Sequence, residues 1–254
     1  MADLDIVVPV YNEGANILRV LKALKANVTT GFRVLVCYDF DEDTTLAALR
    51  SDGVPDVEVT LVLNPTRGPH SAVMAGLRAS TAPAVVVYAA DDDYNAGNLD
   101  SMVEKIAQGN DIACASRFMP GGSMVGCPWL KAVLVRGAGF TMRHFARIPT
   151  HDASNGFRMF SRRAIEEIRI ESTEGFTYSL ELLVKVHRLG WNVAEVPAQW
   201  IERNPDQGAS RFKVLGWLPA YLRWYFYGFA TTILQRSPRT VPRIASQAPA
   251  STND

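Results

Sequence analysis

Short apolar runs alternate with helical patterns through the first half of the chain. Apolar and β-branched residues fill positions 5–10, 33–38, 57–63 and 84–88, which predicts four strands. Helical spacing occupies the intervals at about 15–25, 44–50 and 71–79. Strands that alternate with helices across short polar turns predict a mostly parallel sheet covered on both faces, with right-handed crossovers.

The second half continues the pattern less regularly. A strand at 111–115 ends in Ser116-Arg117, helices are predicted at about 128–143, 162–168 and 178–189, and a further strand covers 192–197. Gly190 stands where a glycine commonly ends a helix. Residues 236–254 are rich in Ser, Pro, Thr and Ala, and this composition predicts a disordered tail.

Polar residues follow three of the predicted strands at the point where each strand ends. Tyr11-Asn12-Glu13 follow the first strand, Asp39-Phe40-Asp41 the second and Asp91-Asp92-Asp93 the fourth. In open parallel sheets, ligands bind beyond the carboxyl ends of the strands. We therefore expect these three segments to form one site.

The three consecutive aspartates are the strongest chemical signal in the chain. Adjacent like charges repel, so a purely structural role is hard to motivate. Two carboxylates one residue apart, Asp91 and Asp93, suit Mg²⁺ or Mn²⁺, which commonly share one or two carboxylates with a substrate diphosphate. The alternative is a solvated turn or a helix N-cap, for which aspartate is also well suited.

Composition narrows the class of protein. Lys+Arg 26 balances Asp+Glu 26, so no net field favours nucleic acid as a partner. Three cysteines without CxxC spacing indicate neither a disulfide framework nor a zinc site. The first residues lack the features of a signal peptide, and no uninterrupted apolar stretch of about 20 residues occurs. These features predict a cytoplasmic protein, and peripheral attachment to the cytoplasmic membrane face stays open.

The strand-end motifs, taken in order and spacing, resemble the family 2 glycosyltransferases from about residue 4 to 215. The resemblance implies an α/β fold of the GT-A type, with a mostly parallel sheet flanked by helices and a nucleotide-sugar donor as partner. It implies that Pro9, Tyr11, Glu13 and Asp39 contact the nucleotide, that Asp91 and Asp93 bind the metal, and that Asn95 completes the metal shell. Asp92 and Arg67 are implied on the donor side, although Thr66-Arg67-Gly68 could equally be a helix-entry turn.

Motifs in the second half resemble those of dolichyl-phosphate mannosyltransferase and its bacterial polyprenyl-phosphate relatives. They are Ser116-Arg117, Arg136-Gly137-Ala138, the segment 152–158, Arg203 and the segment 208–211. The chain departs from that pattern at Asn155, where serine is usual, and at Arg211, where lysine is usual. The resemblance implies a lipid phosphate as the acceptor.

The residue types fit such a reaction. Charge grows on the departing diphosphate, which a cation on Asp91 and Asp93 would stabilise. A phosphate acceptor needs positioning more than deprotonation, and arginines match its geometry; the candidates are Arg117, Arg136, Arg203 and Arg211. A hydroxyl acceptor would instead need a general base, for which His151 is the only plausible histidine.

The segment at 213–235 is dense in Trp, Tyr, Leu and Phe. Its aromatic residues go most of the way around a helix, which fits a membrane interface, and packing on the domain is an equal alternative. The predicted organisation is a glycosyltransferase domain at 1–212, an aromatic helix at 213–235 and a tail at 236–254.

The leading hypothesis is metal-dependent inverting transfer of a hexose from a GDP-mannose or UDP-glucose type of donor to a polyprenyl phosphate. The two alternatives are a transferase with a soluble or glycan hydroxyl acceptor and a non-catalytic nucleotide-sugar-binding module.

Overall fold

A computed structural model describes residues 2–51, 53–201, 214–235 and 237–244. The strands are β1 (Leu4–Pro9), β2 (Phe32–Tyr38), β3 (Val59–Leu63), β4 (Ala84–Val87), β5 (Ile112–Ser116), β6 (Ser123–Val125), β7 (Arg158–Ser161), β8 (Val193–Pro197) and β9 (Gln199–Ile201). The helices are α1 (Asn16–Asn27), α2 (Thr44–Leu49), α3 (Pro69–Ala79), α4 (Leu99–Ala107), α5 (Trp129–His144), α6 (Arg162–Glu167), α7 (Thr177–Arg188) and α8 (Val214–Ile233).

Seven of these strands form one sheet in the order β3-β2-β1-β4-β7-β5-β8. All neighbouring pairs are parallel except those of β7, which runs antiparallel to β4 and β5. The predicted α/β fold with a mostly parallel sheet is confirmed. The hydrophobic pattern missed β7, because this four-residue strand begins with Arg158, a buried arginine whose guanidinium donates to Ser179 Oγ at 2.6 Å and to the Ala153 carbonyl at 2.7 Å.

The core has one layer on each face of the sheet. Successive strand residues point to opposite faces, so Val7 belongs to the apolar cluster that includes residues of α3, α7 and α8. Val8 belongs to the cluster that includes residues of α1 and α4. Strand β4 reads Ala-Val-Val-Val and is buried along its length, as parallel strands covered on both faces require. This rigid centre carries the polar turn that follows β4.

A second, two-stranded parallel sheet lies beside the first and was not predicted. It pairs β6 with β9, with Ser123 opposite Gln199 and Val125 opposite Ile201. It joins the loop after β5 to the segment after β8. The loop that precedes β6 passes so close to the end of β5 that only glycine fits at position 122. A Cβ there would lie 2.5 Å from the Ser116 carbonyl oxygen.

The predicted disordered tail is too long. Residues 237–244 pack against α6, since Ile168 and Arg243 form an isolated bridge, the Ile244 amide donates to the Glu167 carbonyl at 3.0 Å and Val241 is buried. Val241 gives this Pro-rich segment an apolar side chain to bury, and the composition of the segment does not reveal this packing. Residues 236 and 245–254 lie outside the described ranges.

Helix α8 agrees with the predicted aromatic helix at 213–235, whose first residue is not described. One side of α8 packs on α7 and buries Trp224. None of the helices in the described ranges combines the length and apolarity needed to cross a membrane.

Close contact between α3 and the sheet depends on Gly76. A Cβ at this position would lie 2.3 Å from Val7 Cγ1 and 2.7 Å from Cys37 Sγ, so Gly76→Ala should lower the free energy of unfolding by about 1–3 kcal/mol. Urea unfolding followed by circular dichroism measures the loss. Gly137→Ala in α5 is the control, because its Cβ would meet nothing within 4 Å and should leave stability unchanged or raise it by about 0.5–1 kcal/mol. Equal midpoints for both variants would contradict this packing.

Candidate active site

The three polar segments meet at one edge of the sheet. Strands β2, β1 and β4 are neighbours and parallel, and their carboxyl ends lie side by side, with Pro9 opposite Cys37. Tyr11 and Phe40 pack edge to face with ring centroids 5.6 Å apart, and the Arg67 guanidinium lies 5.8 Å from the Phe40 ring. The structure thus brings Tyr11 and Arg67 together around Phe40, an aromatic side chain to which the sequence analysis gave no role.

The three aspartates after β4 have different environments. Asp92 is turned into its own loop, where it accepts hydrogen bonds from the amides of Tyr94 at 3.2 Å and Asn95 at 2.9 Å, and from Asn95 Nδ2 at 2.7 Å. Burial raises the pKa of Asp92, and the bonds from Asn95 and Tyr94 oppose that shift. Asp91 is half-buried and Asp93 is exposed. The middle carboxylate therefore builds the turn that presents its two neighbours.

The predicted role of Asn95 as a metal ligand is not supported by this geometry. Its side chain is buried, and Asn95 Oδ1 already accepts from the Gln199 amide at 3.1 Å and from Asn98 Nδ2 at 3.2 Å. Asn95 Nδ2 donates to the Gln199 carbonyl at 3.0 Å as well as to Asp92. With both polar atoms of its carboxamide engaged, Asn95 ties the acidic turn to β9, 104 residues away in sequence.

Asp39 holds the loop at 64–68, which we call the donor loop. Its two carboxylate oxygens accept from Asn64 Nδ2 at 2.6 Å and from the Gly68 amide at 2.9 Å. Gly68 has a φ of 118°, a backbone conformation that glycine adopts readily. Asp39 thereby holds this loop at its two ends, through the side chain of Asn64 and the backbone amide of Gly68. Asn64, which is buried and also donates to Ser71 Oγ at 3.0 Å, was missed by the sequence analysis.

A second carboxylate, Asp43, organises the neighbouring loops and was also missed. It is buried, caps α2 by accepting from the Thr45 amide at 2.8 Å, and accepts from the Asn12 amide at 2.9 Å. Thr45 Oγ1 in turn accepts from the Glu13 amide at 3.1 Å. The Asp-Thr-Thr sequence at 43–45 is an N-cap signal that could have revealed the cap, although not the link to Asn12.

Arg117 is buried and paired with Asp152. Its Nε donates to Asp152 Oδ2 at 2.6 Å, and its Nη2 donates to Asp152 Oδ1 at 2.9 Å and to Ser154 Oγ at 2.7 Å. Such a two-pronged pair in a buried setting fixes both partners. Arg117 therefore has less freedom to bind an acceptor phosphate than the sequence suggested, and the pair ties the end of β5 to the loop before β7.

Of the arginines that the sequence analysis singled out for an acceptor phosphate, Arg117 and Arg136 lie within the described ranges, and only Arg136 is exposed. It is exposed on α5, and its guanidinium lies 5.6 Å from the Phe118 ring, whose centroid is 5.1 Å from the Arg117 guanidinium. Phe118 therefore contacts both cations. Arg203 and Arg211, also predicted to bind phosphate, lie outside the described residues.

His151 is paired with a carboxylate that the sequence did not connect to it. Glu195 on β8 accepts from His151 Nδ1 at 2.6 Å, from the His151 amide at 2.5 Å and from Thr150 Oγ1 at 2.5 Å. A carboxylate on Nδ1 fixes the orientation of an imidazole ring. This arrangement is typical of a histidine positioned as a base. The same bonds also attach the loop before β7 to β8.

The acidic turn fits a divalent cation of the substrate-sharing kind. Within the described ranges, no group of three or more His, Cys, Asp or Glu side chains converges as a complete protein metal site. Mg²⁺ and Mn²⁺ are commonly held by one or two carboxylates, with diphosphate and water oxygens completing the shell. Asp91 and Asp93 supply that type and number of ligands.

Sequence comparison decides the family. The family model described as glycosyl transferase family 2 matches residues 5–169, which include every strand-end motif described above. The chain belongs to glycosyltransferase family 2. Its relatives include an uncharacterised glycosyltransferase of Mycobacterium tuberculosis, 30% identical over 195 residues that cover 77% of this chain and 84% of that protein.

Two further relatives of this family 2 glycosyltransferase carry functional names. A dolichyl-phosphate hexose transferase of Haloferax volcanii is 31% identical over 205 residues, covering 79% of this chain and 84% of the relative. A polyprenol monophosphomannose synthase of Mycolicibacterium smegmatis is 26% identical over 230 residues, covering 84% of this chain and 85% of the relative.

Solved structures confirm the GT-A type of fold. Glucosyl-3-phosphoglycerate synthase of Mycobacterium tuberculosis, crystallised with Mn²⁺, UDP and glucosyl-3-phosphoglycerate, superposes with a TM-score of 0.61 at 17% identity. The match covers 91% of this chain and 80% of that one. The likeness at this identity concerns the fold.

The Arg117–Asp152 pair makes a pH-dependent contribution to stability. Burial by itself would raise the pKa of Asp152, but the hydrogen bonds and charge of Arg117 outweigh it and hold the pKa below the usual 3.8. Because the folded-state pKa is the lower one, the stabilisation is present above pH 3.8 and is lost as the pH falls through the folded-state value.

Asp152→Asn should therefore lower the free energy of unfolding by about 3–5 kcal/mol at pH 7, because it leaves a buried guanidinium without its counter-charge. The deficit relative to the wild type should shrink as the pH is taken below 3.8. Urea titrations across this pH range measure it, with the fully exposed Asp56→Asn as the control. A deficit that stays constant with pH would contradict the pairing.

Proposed function

We propose that this family 2 glycosyltransferase transfers a hexose from a nucleotide sugar to a polyprenyl or dolichyl phosphate, with inversion at the anomeric carbon and with Mg²⁺ or Mn²⁺ as cofactor. The observation that carries the proposal is the relatedness, over more than three quarters of the chain, to enzymes named for polyprenol and dolichyl phosphate. The arrangement of the site supports it on both the donor and the acceptor side.

On the donor side, the nucleotide would lie along the edge formed by β2, β1 and β4. Tyr11 and Phe40 offer aromatic surface, and Arg67 beside them offers a cation for a phosphate or for stacking. Pro9 and Glu13 flank this edge at the end of β1. Asp39 would act chiefly by holding the donor loop in place, with one further lone pair on each oxygen left for a ribose hydroxyl.

The diphosphate would lie over the acidic turn. A divalent cation held by Asp91 and Asp93 would act as a Lewis acid on the departing diphosphate. Asp92 and Asn95 would keep the two ligands in position, because their mutual hydrogen bonds fix the turn and anchor it to β9.

On the acceptor side, Arg136 is suited to contact the phosphate because its guanidinium is exposed. Arg117 would shape the site through its rigid pairing with Asp152 and through Phe118, which contacts both arginines. Arg203 and Arg211 stay predictions for the same phosphate.

The chemistry is a single displacement. An acceptor phosphate oxygen forms a bond to the anomeric carbon while the bond from that carbon to the diphosphate oxygen breaks, and the nucleoside diphosphate leaves. A phosphate monoester is already anionic near neutral pH, so this acceptor requires orientation rather than a general base.

A second candidate function is transfer to a hydroxyl acceptor, and the His151–Glu195 pair favours it. With Nδ1 held by Glu195 at 2.6 Å, the other ring nitrogen of His151 could accept a hydroxyl proton.

The two functions differ in their dependence on His151. His151→Gln should leave transfer to a lipid phosphate nearly unchanged and should abolish transfer to a hydroxyl.

Asp93→Asn tests the metal role. The change should lower kcat by about 100-fold or more, because stabilisation of the departing diphosphate by the cation is worth several kcal/mol. The assay measures labelled product from GDP-mannose or UDP-glucose and polyprenyl phosphate, with Mg²⁺ or Mn²⁺ and with a chelator. Asp56→Asn, a fully exposed aspartate, is the matched control. Wild-type turnover by Asp93→Asn would rule out the proposed cation site.

The acceptor is tested by offering the same labelled donors with a polyprenyl phosphate, with sugars and with small hydroxyl compounds. Labelled lipid is the expected product. Transfer to a hydroxyl compound in the absence of lipid would support the second candidate. Donor binding without turnover on any acceptor would indicate a binding module.

A further inference from the structure

Helix α5 presents an apolar surface to solvent. Trp129 is 76% exposed and Leu134 64% exposed, and the other large apolar side chains exposed on this helix are Leu130, Val133 and Phe140. At about 100° per residue these five positions fall within an arc of about 140°, so they share one side of the helix. A surface helix of a globular protein ordinarily turns such a stripe toward the core.

The inner side of α5 explains why the stripe lies outside. Only Gly139 and Met142 of its 16 residues are buried. Gly139 lets the helix backbone approach the loop before β7, since a Cβ there would lie 2.6 Å from the His151 carbonyl oxygen. The helix is thus seated through Gly139 and Met142, and its five other large apolar side chains named above stay exposed to solvent. Phe140 contacts the rings of His144 and Phe145 beside it.

Helix α8 extends the same kind of surface. It lies against the end of α5, where the hydroxyls of Thr141 and Tyr225 are 2.7 Å apart and Thr232 Oγ1 donates to the Ala146 carbonyl at 2.7 Å. Its exposed apolar side chains are Leu218, Leu222, Phe226 and Ile233. We call the exposed sides of these two helices the α5–α8 face.

The charged residues within α5 and α8 have one sign. Between Arg117 and Asp152 the sequence contains no Asp or Glu, and the cations there are Lys131, Arg136, Arg143 and Arg147. No Asp or Glu occurs between Asp206 and Asp254 either, a segment that includes all of α8. The chain as a whole has 26 residues of each sign, so the acidic residues are segregated from these two helices. Glu171, which precedes α7, pairs with Arg223 of α8 at 3.6 Å.

We propose that the α5–α8 face binds the surface of an anionic lipid bilayer, with α5 lying in the interface. Exposed Trp, Leu, Val and Phe suit the boundary between headgroups and acyl chains, and neighbouring Lys and Arg suit anionic headgroups. Two copies of the chain meeting through this face would oppose cations to cations. Nucleic acid would leave the apolar stripe unused, because such interfaces are strongly polar.

This inference deepens the proposed function and rests on it only for the identity of the acceptor. Arg136 stands on the same helix as the apolar stripe, so a lipid phosphate bound there would still have its chain in the bilayer. Binding of this face to a bilayer depends on its exposed apolar side chains and its charge, so a binding test does not require turnover.

The first experiment is sedimentation of the full chain with vesicles of phosphatidylcholine alone or mixed with phosphatidylglycerol. The wild type should sediment with the mixed vesicles, bind the neutral ones weakly and lose binding at high salt. Leu134→Glu should lower the partition coefficient by about tenfold or more, because it places a carboxylate in the apolar stripe. Leu63→Glu on the edge strand β3 is the matched control, since Leu63 is 55% exposed, and it should bind as the wild type does.

The charge contribution is tested with Lys131→Gln/Arg143→Gln, which should weaken binding to the mixed vesicles alone. Arg19→Gln/Lys22→Gln on α1 removes the same charge elsewhere and should have little effect. Equal losses in the two double variants, wild-type binding by Leu134→Glu, or a dimer that ignores vesicles would overturn the proposal.

Activity on a short-chain polyprenyl phosphate dispersed without vesicles separates this inference from the proposed function. Leu134→Glu should retain transfer to that acceptor while it loses vesicle binding. Vesicle binding without any transfer to lipid phosphate would support bilayer binding by the α5–α8 face and contradict the proposed acceptor. Transfer to lipid phosphate without vesicle binding by the wild type would support the acceptor and contradict bilayer binding.

Discussion

The shared edge of three parallel strands is the constraint on which the donor side depends. Strands β2, β1 and β4 lie next to each other in the sheet and end together, so Tyr11 and Asp93, 82 positions apart in sequence, lie at the same edge. The strands are buried on both faces and leave no freedom of register. The buried strands therefore fix where each loop at this edge begins, and contacts within the loops fix only the local conformation.

That local order comes mainly from carboxylates that hold backbone or arginine groups. Asp39 holds the donor loop, Asp43 joins the turns after β1 and β2, Asp92 shapes the acidic turn and Asp152 pairs with Arg117. A site that stabilises a departing diphosphate works best when its groups are already in place, since no reorganisation is then needed during the reaction. The site thus uses more acidic side chains as supports than as candidate ligands.

The two halves of the site are joined by a few long-range contacts. Asn95 ties the acidic turn to β9, and β9 pairs with β6, which follows the loop carrying Arg117 and Phe118. The same half carries α5, whose cations and exposed apolar side chains set it apart from the rest of the surface. A polar sheet edge in one half and an apolar, basic surface in the other fit the proposed transfer from a nucleotide sugar to a lipid-linked phosphate.

The sequence by itself determined the fold class, most strands and helices, and the polar segments at the strand ends, because hydrophobic periodicity and strand-end polarity are local properties. It also identified the family, since the motifs occur in a fixed order. It did not reveal β7, whose first residue is a buried arginine, or the packing of residues 237–244 on α6.

Only the tertiary structure decided how each polar side chain is used. Asp92 and Asp93 are indistinguishable in sequence, yet one is turned into its loop and the other is exposed. Arg117 and Arg136 both match an arginine motif, yet one is paired with Asp152 and the other is exposed on α5. Asp152 lies 35 residues from Arg117, and Asn95, which holds Asp92, is itself fixed by Gln199, 104 residues away. Packing of the whole chain therefore selects these arrangements.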